Sequence, residues 1–466
     1  MDLISLPFVG FFIIALLVYH ILPSDKRKLW LLVTSIVFYG LLDIRFLLTL
    51  VILTVSNYWF IRRFDVSKKA YDTYFALALL LNLSVFISLK FLTSRYAGLV
   101  FPDVNGVTEK WLLPVGFSFY ILQLISLHLN IRNGLMTTMP GFVDFALYLA
   151  YFPKITSGPI EKPRPFFDRL SKLASVETFN FSRGLGLILV GLIRKMLIVR
   201  ILYFFIPDWL AEADRVGWVQ IFAFTMLVYN DFAGYTSIVR GLSSLFGLEL
   251  SENFLQPFFA RNFSEFWSRW HITLSTWLRE TIYFPLSRKM GKMNLWPGFA
   301  VVIPPIVTML ASGFWHGASL AMLVWGTIHG LYLIIERLLY ERFPRTRPQN
   351  LSWAWQGVSM IVVFVLFTYT MVPFAVTTFK QTMVVWKNML LQPSIGTQSA
   401  TPLLFIVAVF SFLLDYLAQR KKTELWWQDM PLMPRSAVIA FGIILLAVAI
   451  GLNIQTAGSV FIYQGF

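Results

Sequence analysis

The chain has 466 residues, 57% hydrophobic and only 14% charged, with a formal net charge of +15 and no cysteine; its mean hydropathy is +0.67. Soluble globular chains average roughly 45–50% apolar and about 25% charged residues, so this composition excludes a soluble domain and indicates a membrane protein with many spans. The lack of cysteine excludes disulfides, thiolate metal sites and a cysteinyl acyl-enzyme. The positive charge fits Lys and Arg on cytoplasmic loops. No polar basic domain is present to bind nucleic acid, although a basic cytoplasmic face could attract an anionic donor or an acidic carrier protein.

In chain order, apolar runs predict spans over 3–22, 29–44, 45–61, 74–92, 112–131, 183–199, 200–211, 217–239, 295–315, 318–339, 353–375, 402–419 and 436–454. The runs are continuously apolar and do not alternate, so they predict helices and not a barrel. The fold class is therefore an all-α polytopic membrane protein with about 11–13 transmembrane helices. Leu3–Leu22 has no basic residue before it and no small-residue cleavage site, so it reads as a retained span. Basic clusters lie at Lys26–Lys28, at Arg62, Arg63, Lys68 and Lys69, at Arg288, Lys289 and Lys292, and at Arg420–Lys422. With the first two in the cytoplasm, 29–61 is a tight hairpin and the loop 93–110 lies outside. No loop is long enough for a separate soluble domain, so 1–466 reads as a single domain.

Three regions are not simple spans. Residues 143–165 start apolar and then meet Pro153, Gly158, Pro159, Pro163 and Pro165. Broken backbone at membrane depth survives only when buried or lining a wet cavity, so the segment reads either as re-entrant or as a short span with a proline-rich loop. In 263–286, Trp267, Trp270, Leu274, Trp277 and Leu278 share one helical face, while Glu265, Arg269, Thr276 and Glu280 share the other. That pattern predicts a helix lying in the membrane interface, with His271 on its inward face. In 295–317, Pro304 and Pro305 predict a kinked or discontinuous helix.

Five histidines are present. His128 reads as structural and His20 lies near a span end. His271, His316 and His329 cluster where the backbone is most irregular. His316, between Trp315 and Gly317, is the strongest candidate: an imidazole titrates near neutrality and can take a proton from a hydroxyl. A packing role, with the ring satisfied by a backbone carbonyl, is the competing reading. His316 and His329 are 13 residues apart, about 220° around a continuous helix. They converge only if the chain turns near Gly317–Ser319. Nothing resembling HExxH supports a metal site, and none is expected. Asn230 and Asp231 end an apolar run. Asp231 could orient a ring, bind a polar group of the substrate, or cap a helix over Phe232–Phe246. Arg269 and Arg279 read as interfacial anchors or as contacts for a donor's phosphates.

Several stretches carry a resemblance: LPVGFSFYILQ (113–123), FPKITSGPI (152–160), DFAGYTSIVRGLSSLFG (231–247), ENFLQPFFARNFSEFWSRWHITLSTWLRETIYFPL (252–286), SGFWHGASLAMLVWGTIHG (312–330) and FIYQGF (461–466). Together they resemble the membrane-bound O-acyltransferase (MBOAT) superfamily, of the bacterial alginate O-acetyltransferase type; D-alanyl transferases of teichoic acids are more distant. The match centres on a core motif region over 230–330. The resemblance implies a ring of tilted helices with a thin centre and a central tunnel, in a bacterial inner (cytoplasmic) membrane. It assigns catalysis to His316 of the WHG motif, supported by His271 of the RWH motif. Asn130, Asn133 and Ser237 depart from the pattern: relatives commonly carry Asp and Arg at the first two positions and an acidic residue at the third.

The implied activity moves an acyl group, acetyl being the expected one, from a cytoplasmic thioester (acetyl-CoA or an acyl carrier protein) to a hydroxyl outside. The hydroxyl belongs to a polysaccharide or to an extracytoplasmic partner protein. His316 is the expected general base. His271 or Asn230 is expected to stabilise the oxyanion, with Asp231, Arg269, Trp315 and His329 as further contacts to substrate. No bound cofactor is expected beyond the donor. A transporter or channel without chemistry is the alternative, because broken helices and intramembrane histidines also occur there.

Overall fold

In a computed structural model, residues 3–63, 68–92, 114–136, 138–173, 181–206, 213–293, 297–376, 378–392 and 401–451 are described. The expected outside loop 93–110 and the terminal FIYQGF lie beyond them. Every regular element among the described residues is helical. The first are α1 (Leu6–Ile21), α2 (Ser24–Leu42), α3 (Ile44–Arg62), α4 (Lys68–Leu92), α5 (Phe117–Arg132), α6 (Phe142–Ala150) and α7 (Pro163–Lys172). Next come α8 (Phe181–Leu192), which passes into a π-helical turn at Ile193–Ile198, then α9 (Val199–Tyr203) and α10 (Trp218–Leu245). The remainder comprises α11 (Phe263–Arg269), α12 (Ile272–Leu278), α13 (Phe284–Lys292), α14 (Pro297–His316), α15 (Leu320–Arg342) and α16 (Trp353–Thr370). A short α17 (Val372–Ala375), α18 (Phe379–Leu391), α19 (Pro402–Lys421) and α20 (Leu432–Gly451) close the described chain.

Among the described residues, seven helical segments are long and apolar enough to cross a membrane: Ile44–Arg62, Asp72–Leu89, Gly298–His316, Leu320–Arg342, Trp353–Ala375, Pro402–Lys421 and Leu432–Gly451. Their outward faces carry large apolar side chains, with Ile52, Ile361 and Phe405 all exposed. Water would penalise such a belt and hydrocarbon solvates it. Other expected spans are helical over their described residues, except that 200–211 leaves the helix after Tyr203. α10 is buried along nearly its whole length and acts as a core helix.

The chain forms two compact units, Met1–Ile188 with Val239–Ser251, and Leu189–Ile238 with Glu252–Phe466. In the first, Phe8, Phe12, Phe38, Phe152 and Phe246 pack edge to face, with ring centroids 5.5–5.8 Å apart in the closest pairs. Beside this core the irregular segment takes shape. α6 has 9 residues, about 13 Å of helix, against a hydrocarbon core about 30 Å thick. Tyr151–Glu161 then runs without regular structure, and every residue in it is buried. Its backbone is partnered from neighbouring elements: Phe152 N–H donates to Ser35 Oγ at 3.0 Å, and Tyr148 hydroxyl donates to the Glu161 carbonyl at 2.8 Å. This is the burial that broken backbone at membrane depth requires. Lys154, buried here, donates to the Tyr148 carbonyl and Gln123 Oε1. His128 donates Nε2–H to Asn57 Oδ1, within a reciprocal Asn57–Asn82 amide pair, which makes it a packing residue. His20 lies in the last turn of α1, its Nε2 3.3 Å from the Leu245 carbonyl.

In the second unit, α14 and α15 form an antiparallel hairpin, and α11–α13 pack along it. The sequence predicts one unbroken helix over 263–286 and a kinked or discontinuous one over 295–317; the unbroken helix is corrected, and of the two forms expected over 295–317 the discontinuous one is not found. The chain breaks instead at Trp270–His271 and again loosens into a π-helical turn at Arg279–Tyr283. α14 continues through both prolines. Proline's fixed φ is compatible with helix, so the pair removes two amide donors without ending the element. Thr308 hydroxyl donates to the Pro304 carbonyl at 2.6 Å.

Candidate active site

α14 ends at His316. Gly317–Ser319 turn the chain, and Ser319 caps α15 by accepting the Met322 N–H at 3.2 Å. This is the turn that convergence of His316 and His329 requires. Two glycines let the helices touch: a Cβ on Gly313 would lie 2.2 Å from the Met322 carbonyl oxygen, and one on Gly326 2.3 Å from that of Met309. The resulting register alternates imidazole and indole rings. Centroids run His271–Trp315 6.0 Å, Trp315–His316 4.8 Å, His316–Trp325 5.4 Å and Trp325–His329 4.7 Å. Phe374 covers His316 edge-on at 5.1 Å. All three histidines are buried. Sequence analysis groups these three; the structure sets them in one row and adds Trp325 between the last two.

His329 Nε2 lies 3.0 Å from Thr370 Oγ1, which itself donates to the Phe367 carbonyl at 2.7 Å. The hydroxyl proton is thus committed, so His329 is the donor at Nε2 and its Nδ1 carries the lone pair. That Nδ1 is buried with no hydrogen-bond partner.

His271 occupies the break between α11 and α12 with φ 42° and ψ 53°. A left-handed backbone at a non-glycine residue costs of order 1–3 kcal/mol and persists where its surroundings fix it. Asn253 does so: its carbonyl accepts Ile272 N–H at 2.9 Å, and its Oδ1 lies 3.2 Å from His271 Nδ1 and 2.9 Å from Thr273 Oγ1. Burial drives the His271 pKa down to about 3, so the ring is neutral at pH 7. Asn253 is a residue that sequence reasoning passes over; it stands inside the quoted ENF but 18 positions from its partner.

Asn230 and Asp231 belong to another place in this unit. α10 passes through them without interruption, so Asp231 is not a helix cap. Lys195 neutralises it at 2.5 Å, and a paired buried carboxylate need not interrupt the helix. Beside it, Arg194 bonds Asp415 Oδ1 at 2.5 Å and Asn230 Oδ1 at 2.8 Å, and Tyr229 hydroxyl donates to Asp415 Oδ2 at 2.8 Å. The Asn230 amide nitrogen donates to the Met226 carbonyl and to Ser411 Oγ. Both its N–H groups are engaged, which leaves none for an oxyanion. Gly191 and Gly234 permit this approach, since a Cβ on Gly191 would sit 2.5 Å from the Gly234 carbonyl oxygen. The cue in the sequence is matched charges inside apolar runs: Arg194 and Lys195 against Asp231 and Asp415. Ser237, in place of the expected acidic residue, donates to Glu424 Oε2 at 2.8 Å, so a carboxylate arrives from elsewhere in the chain.

A cavity of about 430 Å³ opens between α11–α12, their π-helical turn, and the α14–α15 hairpin. Arg279, Arg337 and Arg347 line it, with Glu336 and Glu341. Ser312 also lines it, one helical turn before His316 on the same face of α14. Ser312 Oγ and Trp267 Nε1, both on the cavity wall, are buried without hydrogen-bond partners. Arg269 does not line the cavity; it bonds Glu265 at 2.6 Å, which Arg261 holds from its other side. Among the described residues, no three His, Cys, Asp or Glu converge on a common point that could hold a metal.

The family model described as MBOAT, membrane-bound O-acyltransferase family, matches residues 31–377. The "Probable alginate O-acetylase AlgI" of Azotobacter vinelandii is 32% identical over 367 residues, 75% of this chain and 71% of that protein. A "Peptidoglycan O-acetyltransferase" of Helicobacter pylori is 27% identical over 74% of this chain and 72% of its own. A "Teichoic acid D-alanyltransferase" of Bacillus subtilis is 25% identical over 59% of this chain and 71% of its own. With the matched region covering the hairpin, the histidine row and the cavity, this multi-pass chain belongs to the membrane-bound O-acyltransferase family of enzymes.

Proposed function

We propose that the chain moves an acetyl group from a cytoplasmic thioester to a hydroxyl of an extracytoplasmic polysaccharide, directly or through a partner protein, in a bacterial inner membrane. His316 is the general base. It takes the proton of the acceptor O–H as that oxygen attacks the thioester carbonyl. The C–S bond then breaks, and the imidazolium returns the proton to the departing thiolate, leaving an ester and a free thiol. The observation that carries this reading is the position of His316: buried at the tip of the hairpin, with Trp315, Trp325 and Phe374 around its ring. Such a setting excludes water that would otherwise hydrolyse the donor.

The cavity supplies the donor's place in this reading. Acetyl-CoA and the phosphopantetheine arm of a carrier protein both bring phosphate, which guanidinium groups bind in bidentate fashion. Arg279, Arg337 and Arg347 are those groups, in preference to Arg269. The free donors Ser312 Oγ and Trp267 Nε1 suit the thioester carbonyl, whose oxygen gains charge in the transition state. The named relatives act on polysaccharides and teichoic acid, which supports a cell-envelope glycan as the acceptor.

The test uses purified protein in proteoliposomes with a radiolabelled acetyl thioester and a soluble hydroxyl acceptor. His316→Ala is expected to abolish transfer, by about 10²–10⁴-fold, at unchanged expression. Transfer retained in that variant rejects His316 as the base.

A further inference from the structure

Asn253 presents a single oxygen to three groups, and one of the three fixes its identity. The Thr273 backbone N–H donates to Asn253 Oδ1 at 3.3 Å. A backbone amide nitrogen can only donate, so the side-chain atom facing it is the carbonyl oxygen and not the NH2. Turning the amide over would set two N–H donors against that N–H. The Thr273 hydroxyl, 2.9 Å away, donates to the same oxygen. The third group, His271 Nδ1 at 3.2 Å, also faces an atom that carries no proton. It therefore bears the hydrogen itself. A neutral imidazole has one N–H, so Nε2 keeps its lone pair.

The backbone makes this arrangement hard to escape. His271 sits in the left-handed region, and Asn253 ties the residues that follow it through the Ile272 N–H, the Thr273 N–H and the Thr273 hydroxyl. Ring contacts close the other sides: Phe232 stands edge-on at 4.9 Å and Trp315 at 6.0 Å. The ring cannot rotate to exchange its two nitrogens without losing the Asn253 bond.

We propose that Asn253 is a positioning residue that locks His271 with its proton on Nδ1, so that His271 offers Nε2 to the substrate only as a hydrogen-bond acceptor. The catalytic part of this inference rests on the acyl-transfer reading above. In that setting a thioester carbonyl or an oxyanion, having no proton to give, finds no partner at His271. An acceptor hydroxyl does, and His271 orients the O–H that His316 then deprotonates. The oxyanion role expected of His271 passes to the donors on the cavity wall.

Five histidines in the whole chain make a direct measurement practical. Full-length protein labelled with 15N in its imidazoles is placed in nanodiscs, and long-range 1H–15N correlations assign each ring nitrogen as protonated or not. His271→Gln identifies the signal. The expected wild-type result at pH 7 is a protonated Nδ1 and a bare Nε2. In Asn253→Ala the proton should move wholly or partly to Nε2, with kcat about 10- to 100-fold lower, as for other imidazoles that lose an orienting hydrogen bond, and with KM for the donor unchanged. Asn253→Asp, which keeps an oxygen in place, should keep Nδ1 protonated. A wild-type spectrum with the proton on Nε2 overturns the proposal, even if no variant folds. So does a tautomer that Asn253→Ala leaves unmoved. Failure of the acyl-transfer reading would show instead as activity surviving in His316→Ala, a result that does not depend on the tautomer.

Discussion

Two buried polar regions of the second unit meet the same physical problem differently. Around Arg194 and Asp415, charge is buried and closely engaged: guanidinium to carboxylate and amide, phenol to the second carboxylate oxygen, amide nitrogen to carbonyl and hydroxyl. Along the hairpin the neighbours are chiefly aromatic rings, and among the described residues polar atoms are left over: Ser312 Oγ, Trp267 Nε1, Trp325 Nε1 and His329 Nδ1. A completed ion network fixes how helices sit, because removing any member strands the rest. Buried groups with unused bonding capacity are costly to leave so, and a ligand that completes them repays part of that cost on binding. The first region holds the helices; the second is where the proposed acyl transfer places its substrates.

Breaking the network should give the largest loss of stability. Asp415→Asn leaves Arg194 uncompensated and should cost about 3–5 kcal/mol, seen as a lower unfolding temperature and a smaller folded yield in detergent. Replacing both partners, Arg194→Met with Asp415→Leu, should recover most of that loss; equal damage from the double variant would mean that the network does more than fill space. On the other side of the comparison, Ser312→Ala should lower turnover by about 10²-fold and leave the unfolding temperature where it was. A stability change without a rate change would place Ser312 with the scaffold. Gly234→Ala forces a methyl to within 2.9 Å of the Gly191 carbonyl oxygen and should destabilise by about 1–3 kcal/mol, through the helix contact that carries Lys195 to Asp231. Arg279→Gln should raise KM for the donor about tenfold (about 1.4 kcal/mol) with kcat held, measured by donor titration. Arg269→Gln, which removes only a partly exposed ion pair, should change stability by less than about 1 kcal/mol and leave KM alone.

Much of the helical architecture is legible from hydropathy, and His316, His271 and His329 stand out because ionisable rings are rare in apolar runs. The turn at Gly317–Ser319 is readable as a condition for two of those rings to meet. What escapes the sequence is mostly long-range or local in the wrong way. The helical period carries 263–286 as one element because its face continues past Trp270; only the contact with Asn253, 18 positions earlier, shows why the backbone turns left-handed at His271. Pro304 and Pro305 read as a kink or a discontinuity, and local propensity alone does not choose between them; packed against α15, α14 stays one element. Asn230 and Asp231 read as candidate substrate contacts until Arg194, Lys195 and Asp415 arrive from other helices to occupy them.

The glycine contacts between α14 and α15 leave no slack in how the two helices slide past each other. Adding or deleting one residue between Gly317 and Gly326 would rotate everything beyond it by about 100°, swinging His329 off the row and bringing a side chain where only a hydrogen fits. The 13-residue interval separating the two histidines therefore works as a fixed ruler, set by the two glycine contacts and not by the rings it spaces.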